Sequence, residues 1–412
     1  MVDTRPDSEK FDGKSFCVLP FIHLATHPIG TVTPCCITDM TNDMSTAKGK
    51  DGHNMFLDQD KLEDIANSDI FKEVRRKMMN NEFPSECKTC YFYEKNGIYS
   101  KRIESNYKFG HLIDYAKHSV IDDGTIPELN YKYIELRLGS VCNLACVTCN
   151  PFSSTKWNKD VKAFKDTKFE NDYFRCDIRT EWYRSQGFYD ELLQKCNGLE
   201  EVWINGGEPT LIKEHAYFLE KLIEQDRAKD IDLMYTINMT QIPDDFIELW
   251  KKFRDVRLHL SIDDLGERND YIRYGSKFEN ILSNFEKIVE YKDVFNLEVC
   301  QTISVLNVWN IDEFKNFFGN KHGCIIAHNY VHHPSHLHVS LLPQELKEKL
   351  INNLQYLQED EKMRLYAELM KDPEEETQKS FYEYINILDK QRKLDITQFL
   401  PEWKNYFYEQ NK

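Results

Sequence analysis

The stretch LRLGSVCNLACVTCNPFSSTKW, from Leu136 to Trp157, decides how this chain is read. Cys142, Cys146 and Cys149 stand there in C-x3-C-x2-C spacing, directly after the apolar run YKYIELRL. A loop of this length folds back on itself, so its three thiolates can grip one face of a cubane iron–sulfur cluster. Ferredoxin runs supply four cysteines and leave no iron open. Three leave one iron without a protein ligand, and an open iron can bind a small molecule. The spacing therefore points to chemistry rather than plain electron storage. A zinc knot or three unrelated buried cysteines is the plainer alternative.

The segment resembles the cluster loop of radical S-adenosylmethionine (SAM) enzymes. In that family the open iron chelates the amino and carboxylate groups of SAM. An electron from the [4Fe–4S] cluster then cleaves SAM to methionine and a 5′-deoxyadenosyl radical. Thr148 stands where the family usually has an aromatic residue before the third cysteine. That departure touches a packing contact near the adenine, not the cluster.

Around this loop, residues 131 to about 333 alternate strand and helix. Strands are expected at YIELRL, LEEVWIN, IDLMYTIN, DVRLHLSID, LEVCQTISVL and CIIAHNYV. Between them HAYFLEKLIEQ, DDFIELWKKF, FENILSNFEKIVEY and IDEFKNFF carry apolar residues at helical spacing. Six strands with intervening helices imply parallel pairing and right-handed crossovers. The expected α/β fold is a partial (βα)6 TIM-like barrel, the core fold of the resembled family, with its chemistry at the carboxyl ends of the strands. The long connection from Pro151 to about Gly187 is either a cover over that face or a surface embellishment.

Residues 1–130 lack this alternation. FCVLPFIHLATHPIGTVTPCC reads as two short strands around a turn at Pro28-Ile29-Gly30, and FPSECKTCYFYEKNG places Cys87 and Cys90 in C-x2-C spacing. Cys17, Cys35, Cys87 and Cys90 make four candidate metal ligands, enough to close a cluster fully, and Cys36 could replace Cys35. The run from Cys17 through Gly30 to Cys35 resembles the opening of the SPASM and twitch modules, which carry auxiliary [4Fe–4S] clusters. The twitch type fits better because the later cysteines of a second cluster are missing, although this module precedes the barrel. A zinc ribbon on the same sulfurs is the bland reading. Residues 334–412 form a helical extension, LPQELKEKLINNLQYLQ, MRLYAELM, SFYEYINILDKQRK and PEWKNYFYEQ. It is expected across the open side of the barrel or against the N-terminal module.

Further candidates lie at strand ends. Gly206-Gly207-Glu208-Pro209 follows the second barrel strand and resembles the family's site for the methionine amino group. Two glycines allow close passage, and carbonyls with the Glu208 carboxylate can accept from an ammonium. Ser261 and Asp263 are placed on ribose hydroxyls by the resemblance, with Asn238 a contact of the same kind. Arg273 can form a forked pair with the methionine carboxylate, or an ordinary salt bridge. Val305 backbone and Asn307 resemble the family's adenine edge. His328, His332, His333, His336 and His338 crowd the end of the sixth strand. The His332 and His336 spacing suggests zinc, but Pro334 interrupts the segment. A hydrogen-bonded loop histidine or a substrate-facing acid–base role is expected instead. Cys176, Cys196, Cys300 and Cys324 lie outside both sets; Cys300 and Cys324 read as core, and Cys176 is the better hydrogen-atom donor candidate.

The 412 residues carry 53 Lys and Arg against 69 acidic residues, a formal net charge of −16. That balance disfavours tight nonspecific nucleic-acid binding. No stretch reaches the length of a membrane span, and the opening MVDTRPDSEKFDGK lacks a signal-peptide core, so a cytoplasmic protein without a membrane partner is expected. Twelve cysteines in that compartment suit soft-metal sites better than disulfides. Most of the chain resembles twitch-domain radical SAM proteins, many of them phage or bacterial. That resemblance implies a reductant such as flavodoxin or ferredoxin, and hydrogen abstraction from a peptide or a small molecule. A non-catalytic iron–sulfur or zinc protein is the alternative class.

Overall fold

The structure, a computed structural model, describes residues 14–38, 45–170 and 181–410; Cys176 lies outside the described residues. Among the described residues the eight strands are β1 (His23–Thr26), β2 (Val32–Thr33), β3 (Tyr133–Leu138), β4 (Glu201–Gly206), β5 (Asp232–Ile237), β6 (Asp255–Ser261), β7 (Asn296–Ile303) and β8 (Ile325–Tyr330). They form one sheet in the order β2-β1-β3-β4-β5-β6-β7-β8. From β3 to β8 every neighbouring pair is parallel, as the six expected strands require. The N-terminal hairpin also forms, with Gly30 at φ +87° in its turn and Ala25 opposite Thr33. A Cβ at Gly30 would meet Trp182 Cδ1 at 2.7 Å, so the turn is tight as well as left-handed. This hairpin joins the barrel: β1 runs parallel to β3 with His23 opposite Tyr133. The sheet therefore holds two more strands than the alternating pattern gives.

Along each strand the side chains alternate between two faces. Val202, Ile204, Leu233, Tyr235, Val256, Leu258 and Leu260 are buried against the helices and make the main core. Those helices are amphipathic: in α4 (Phe278–Val289), Ile281, Phe285 and Ile288 share the buried face. With them stand α2 (Ala216–Glu224) and α3 (Asp244–Trp250), and α1 (Lys88–Lys95) lies in the N-terminal segment. The other face of the sheet is polar. Arg137 Nε lies 3.1 Å from Glu135 Oε1, Trp203 Nε1 donates to Thr236 Oγ1 at 3.1 Å, and His259 lies 3.6 Å from Glu298. Parallel strands covered by helices on both faces are apolar throughout. A polar inner face belongs to a barrel with a lumen.

The C-terminal segment contributes α5 (Gln344–Asn353), α6 (Glu359–Leu369) and α7 (Glu375–Arg392). These helices pack on the cluster loop and the ends of β7 and β8, where Ala145, Val147 and Trp157 share a second core with Ile303, Val305, Phe381, Tyr384 and Leu388. Tyr384 donates its hydroxyl to the Val147 carbonyl at 2.8 Å. Arg392 forks onto Asp160 at 2.8 and 3.1 Å, its guanidinium 4.4 Å from the Tyr274 ring and 4.9 Å from that of Trp157. The described part of the long connection after the cysteines thus runs under α7. Among the described residues, no helix is long and apolar enough to cross a membrane.

Removing the Arg392 guanidinium leaves the buried Asp160 carboxylate without its partner. Arg392→Ala is expected to cost about 3 kcal/mol, read as a lower urea midpoint of the cluster-loaded protein. Arg392→Lys recovers only part of this, because an ammonium cannot both fork onto a carboxylate and stack between rings.

Candidate active site

The cysteine loop leaves β3 at Gly139, whose φ is +49° and whose Cβ would collide with Tyr183 Cε1 at 2.4 Å. A loop this buried has to satisfy its own backbone. Ala145 N–H donates to the Tyr274 carbonyl at 2.8 Å and Val147 N–H to that of Ile272 at 2.7 Å. The Leu144 carbonyl accepts from Ser154 Oγ at 2.5 Å, and the Cys146 carbonyl from Trp157 Nε1 at 3.0 Å. Four residues from two neighbouring segments thereby hold the loop that carries the three thiols.

Burial pushes the Cys146 thiol up to about 11 and the Cys149 thiol up to about 12, while Arg273 pulls both back. Cys142 is raised for the same reason, tempered by the Leu144 amide. A metal has to displace these protons, and the cation beside them lowers the cost. Arg273 is 8% exposed and pairs with Asp263 through Nη1 at 2.9 Å. Burial opposes its charge, but Cys146 and Asp263 outweigh that and hold the guanidinium more firmly protonated than usual. Its Nε is buried and has no hydrogen-bond partner among the described residues. An orphaned cationic N–H beside three thiols suits an anionic acceptor, so these residues fit an iron–sulfur cluster with a carboxylate-bearing ligand.

Asp263 works on several sides. Its Oδ1 accepts from Thr302 N–H at 2.9 Å, and its carbonyl accepts from Gln301 Nε2 at 2.9 Å and Asn307 Nδ2 at 2.8 Å. Each carboxylate oxygen keeps a lone pair for a hydroxyl donor. Ser261 ends β6, half-buried and in register with Cys300. Val305 N–H donates to the Leu337 carbonyl at 3.0 Å, and Asn307 Oδ1 accepts from Ser304 N–H at 2.7 Å. Both lie fully buried behind the end of β7.

The glycine pair approaches protein rather than open space. A Cβ on Gly206, at φ +131°, would sit 2.6 Å from the Leu138 backbone, and one on Gly207 2.3 Å from the Val141 carbonyl oxygen. Glu208 N–H then donates to that same carbonyl at 2.8 Å. Its carboxylate accepts from Thr210 N–H and Oγ1 at 3.0 and 2.7 Å, and from Asn238 N–H at 2.6 Å. Burial raises the Glu208 carboxyl, and these bonds oppose the rise. Glu208 therefore ties the end of β4 to that of β5. Pro209 follows as the first residue of a short 3-10 turn. Asn238 continues the chain of contacts, donating Nδ2 to Asn143 Oδ1 at 2.8 Å, 3.8 Å from Cys142 Sγ.

The N-terminal cysteines also converge. Cys17, Cys35, Cys87 and Cys90 line one open hollow with Ile37, Glu86 and Arg102. Burial pushes the Cys17 thiol up to about 12 and that of Cys87 well above its usual value. Glu86 Oε2 is buried there without a partner among the described residues. Four sulfurs in one hollow fit a closed cluster. Cys36 is absent from that lining; its thiol is held protonated by a bond to Cys35 and by burial.

Other candidates scatter. His328 Nδ1 meets Gln301 at 3.0 Å, His336 packs 4.5 Å from the Tyr384 ring, and His332 and His338 turn to Glu368. None of these contacts is with a residue of the polar inner face. Cys196 is fully buried in the main core and Cys324 packs on its edge. Cys300 instead falls in phase with Glu298 on the inner face, where burial pushes its thiol up to about 12. Its two-residue offset from Glu298 was the available signal.

A family profile described as the radical SAM superfamily matches residues 136–319, and one described as an iron–sulfur cluster-binding domain matches residues 17–91. A GTP 3′,8-cyclase of Mannheimia succiniciproducens is 27% identical over 196 residues, covering 46% of this chain and 51% of that protein. The chain spans about half the length of this curated relative. Among solved structures, native anSMEcpe with bound AdoMet is 20% identical over 48% of this chain and 51% of that one, with a TM-score of 0.35. Streptococcus suis SuiB is 14% identical over 93% of this chain and 73% of that one, with a TM-score of 0.33. The two matched domains imply a [4Fe–4S] cluster with S-adenosylmethionine at the first and an iron–sulfur cluster at the second. With its three-cysteine loop inside the first match and its four-cysteine hollow inside the second, the chain carries a domain of the radical SAM superfamily and a SPASM-like domain.

Proposed function

We propose that this chain is a radical SAM enzyme acting on a polar organic substrate, a peptide foremost, held in the lumen of its partial barrel. The supporting observation is the buried Arg273, paired to Asp263 on one side and unpartnered at Nε, next to Cys142 and Cys146. When bound, the cluster at Cys142, Cys146 and Cys149 supplies the electron that splits SAM into methionine and a 5′-deoxyadenosyl radical.

The chain's own residues bind, orient and exclude water. Arg273 takes the methionine carboxylate, the carbonyls of Gly206 and Gly207 take its amino group, and Ser261 and Asp263 take the ribose hydroxyls. Asn238 holds the loop beside Cys142, and Val305 with Asn307 backs the adenine. Glu135, Arg137, Asn205 and His259 offer hydrogen bonds to the substrate, and Cys300 stands where a thiol can face it. Cys17, Cys35, Cys87 and Cys90 hold the auxiliary cluster. By chemistry the chain divides at about 130 and 333 into cluster module, barrel and helical cap. We infer a flavodoxin or ferredoxin as reductant and the cytoplasm as compartment, since exposed clusters and free thiols need reducing conditions.

A second reading, a nucleotide substrate, is favoured by the likeness to a protein named GTP 3′,8-cyclase. The inner face supports it less well. Of its two arginines, Arg137 is already engaged by Glu135, which leaves Arg257, and a triphosphate needs several free cations.

Under anaerobic reconstitution with dithionite and SAM, the protein is expected to form 5′-deoxyadenosine, followed by liquid chromatography with mass detection. Cys142→Ala abolishes the product and removes about half the iron, the share of one cubane among two. Product from that variant, or none from the parent, overturns the reading. Arg273→Gln is expected to weaken SAM binding roughly tenfold or more by losing a charged fork, measured by calorimetry on the reduced protein, with Arg273→Lys intermediate. Gly207→Ala places a methyl against the Val141 carbonyl, and we expect it to empty the three-cysteine site of iron. The auxiliary cluster should keep its Mössbauer signal.

A further inference from the structure

We propose that His332, His338 and Glu368 form a third metal site, separate from both cysteine sets, for a borderline divalent cation with zinc foremost. Among the described residues this is the trio of metal-ligating side chains whose ligand atoms all come within 4.8 Å of one another. The two histidines lie in the loop after β8, and Glu368 lies on α6. The site therefore bridges the rim of the barrel and the helical cap.

The geometry suits one ion. His338 Nε2 is 3.0 Å and His332 Nδ1 4.0 Å from Glu368 Oε2. A tetrahedral zinc with bonds near 2.1 Å holds its ligand atoms roughly 3.4 Å apart. The observed separations bracket that value, so side-chain rotations of a few tenths of an ångström close the clasp. The two imidazoles stack at 5.5 Å with 29° between their planes. The Ser340 amide donates to Nδ1 of His338 at 3.1 Å, and the Ser340 hydroxyl stands 2.8 Å from the same nitrogen. Ligation through Nε2 therefore moves the ring proton to Nδ1, where the Ser340 hydroxyl accepts it as outer support. Two imidazoles and one carboxylate leave a fourth position to solvent, which His332, half-exposed, admits. Imidazole ligands exclude magnesium and calcium as preferred ions.

Lys371 pairs with Glu368 Oε2, the same oxygen that the ion would take. Its side chain is 51% exposed, so it can swing to solvent as the ion enters. Lys371 thus competes with the metal, a role that a purely structural His–Glu contact would not assign it.

The test uses the cluster-loaded protein, in which the seven cysteines are occupied by iron, passed over a chelating resin and titrated anaerobically with zinc chloride alone. The parent should retain one zinc per chain with its iron unchanged, and X-ray absorption at the zinc edge should show nitrogen and oxygen with imidazole scattering and no sulfur. His332→Ala, at a half-exposed position that folding tolerates, and Glu368→Gln should each weaken binding by at least tenfold, the loss typical of a site ligand. Lys371→Ala should tighten it several-fold. A parent that holds no zinc, a sulfur shell, equal binding in His332→Ala, or weaker binding in Lys371→Ala overturns the site.

Discussion

The structure depends on satisfying a buried loop that also carries three ionisable sulfurs. A polar backbone taken out of water without partners costs free energy at every group, so the loop can exist only where neighbouring segments supply donors and acceptors. Here they come from the segment after β6, from the chain just beyond the cysteines, and from α7. Arg273 then answers the charge problem. It counters burial at Cys146 and Cys149 and is itself held by Asp263. Asp263 in turn grips β7 through Thr302 and Gln301 and the turn after it through Asn307. One ion pair thereby links the cluster loop to the strand ends where a ligand would lie.

The same economy governs the N-terminal segment. Its hairpin contributes β1 as the neighbour of β3, so the strand that launches the cysteine loop is flanked by a strand of the second cluster's module. Cys17, Cys35 and Cys87 pack in one apolar group with Tyr133 and Trp203, residues on the inner face of β3 and β4. The four-cysteine hollow thus shares a wall with the lumen. A module written before the barrel in sequence comes to stand beside its interior, because strand pairing ignores the order in which strands are made.

Much of the site was legible in the chain. Cysteine spacing survives translation into structure because a short loop has few ways to aim three sulfurs, and alternating hydrophobicity reports which face of a strand is buried. Roles that depend on partners far along the chain were less legible. Gly206 and Gly207 were expected to make room for a ligand, yet the bodies they admit are Leu138 and Val141. Glu208 was expected to face an ammonium and instead joins two strand ends. Among the crowded histidines, the partner of His332 is His338 rather than His336. The turn at Ser335–Leu337 rotates His336 into the packing around Tyr384 and brings His338 round to α6.

By itself the sequence determined the cysteine sets, the strand and helix periods, and hence a parallel sheet, since these follow from local spacing and from which side chains water rejects. Only the tertiary structure decided that the N-terminal hairpin extends the barrel, that Cys35 rather than Cys36 lines the second hollow, and that Cys300 stands on the inner face. It also decided that the C-terminal helices clamp the cysteine loop. Each of these turns on contacts between residues scores of positions apart, and such contacts are chosen by packing and by the pairing of buried charge, which no local pattern encodes.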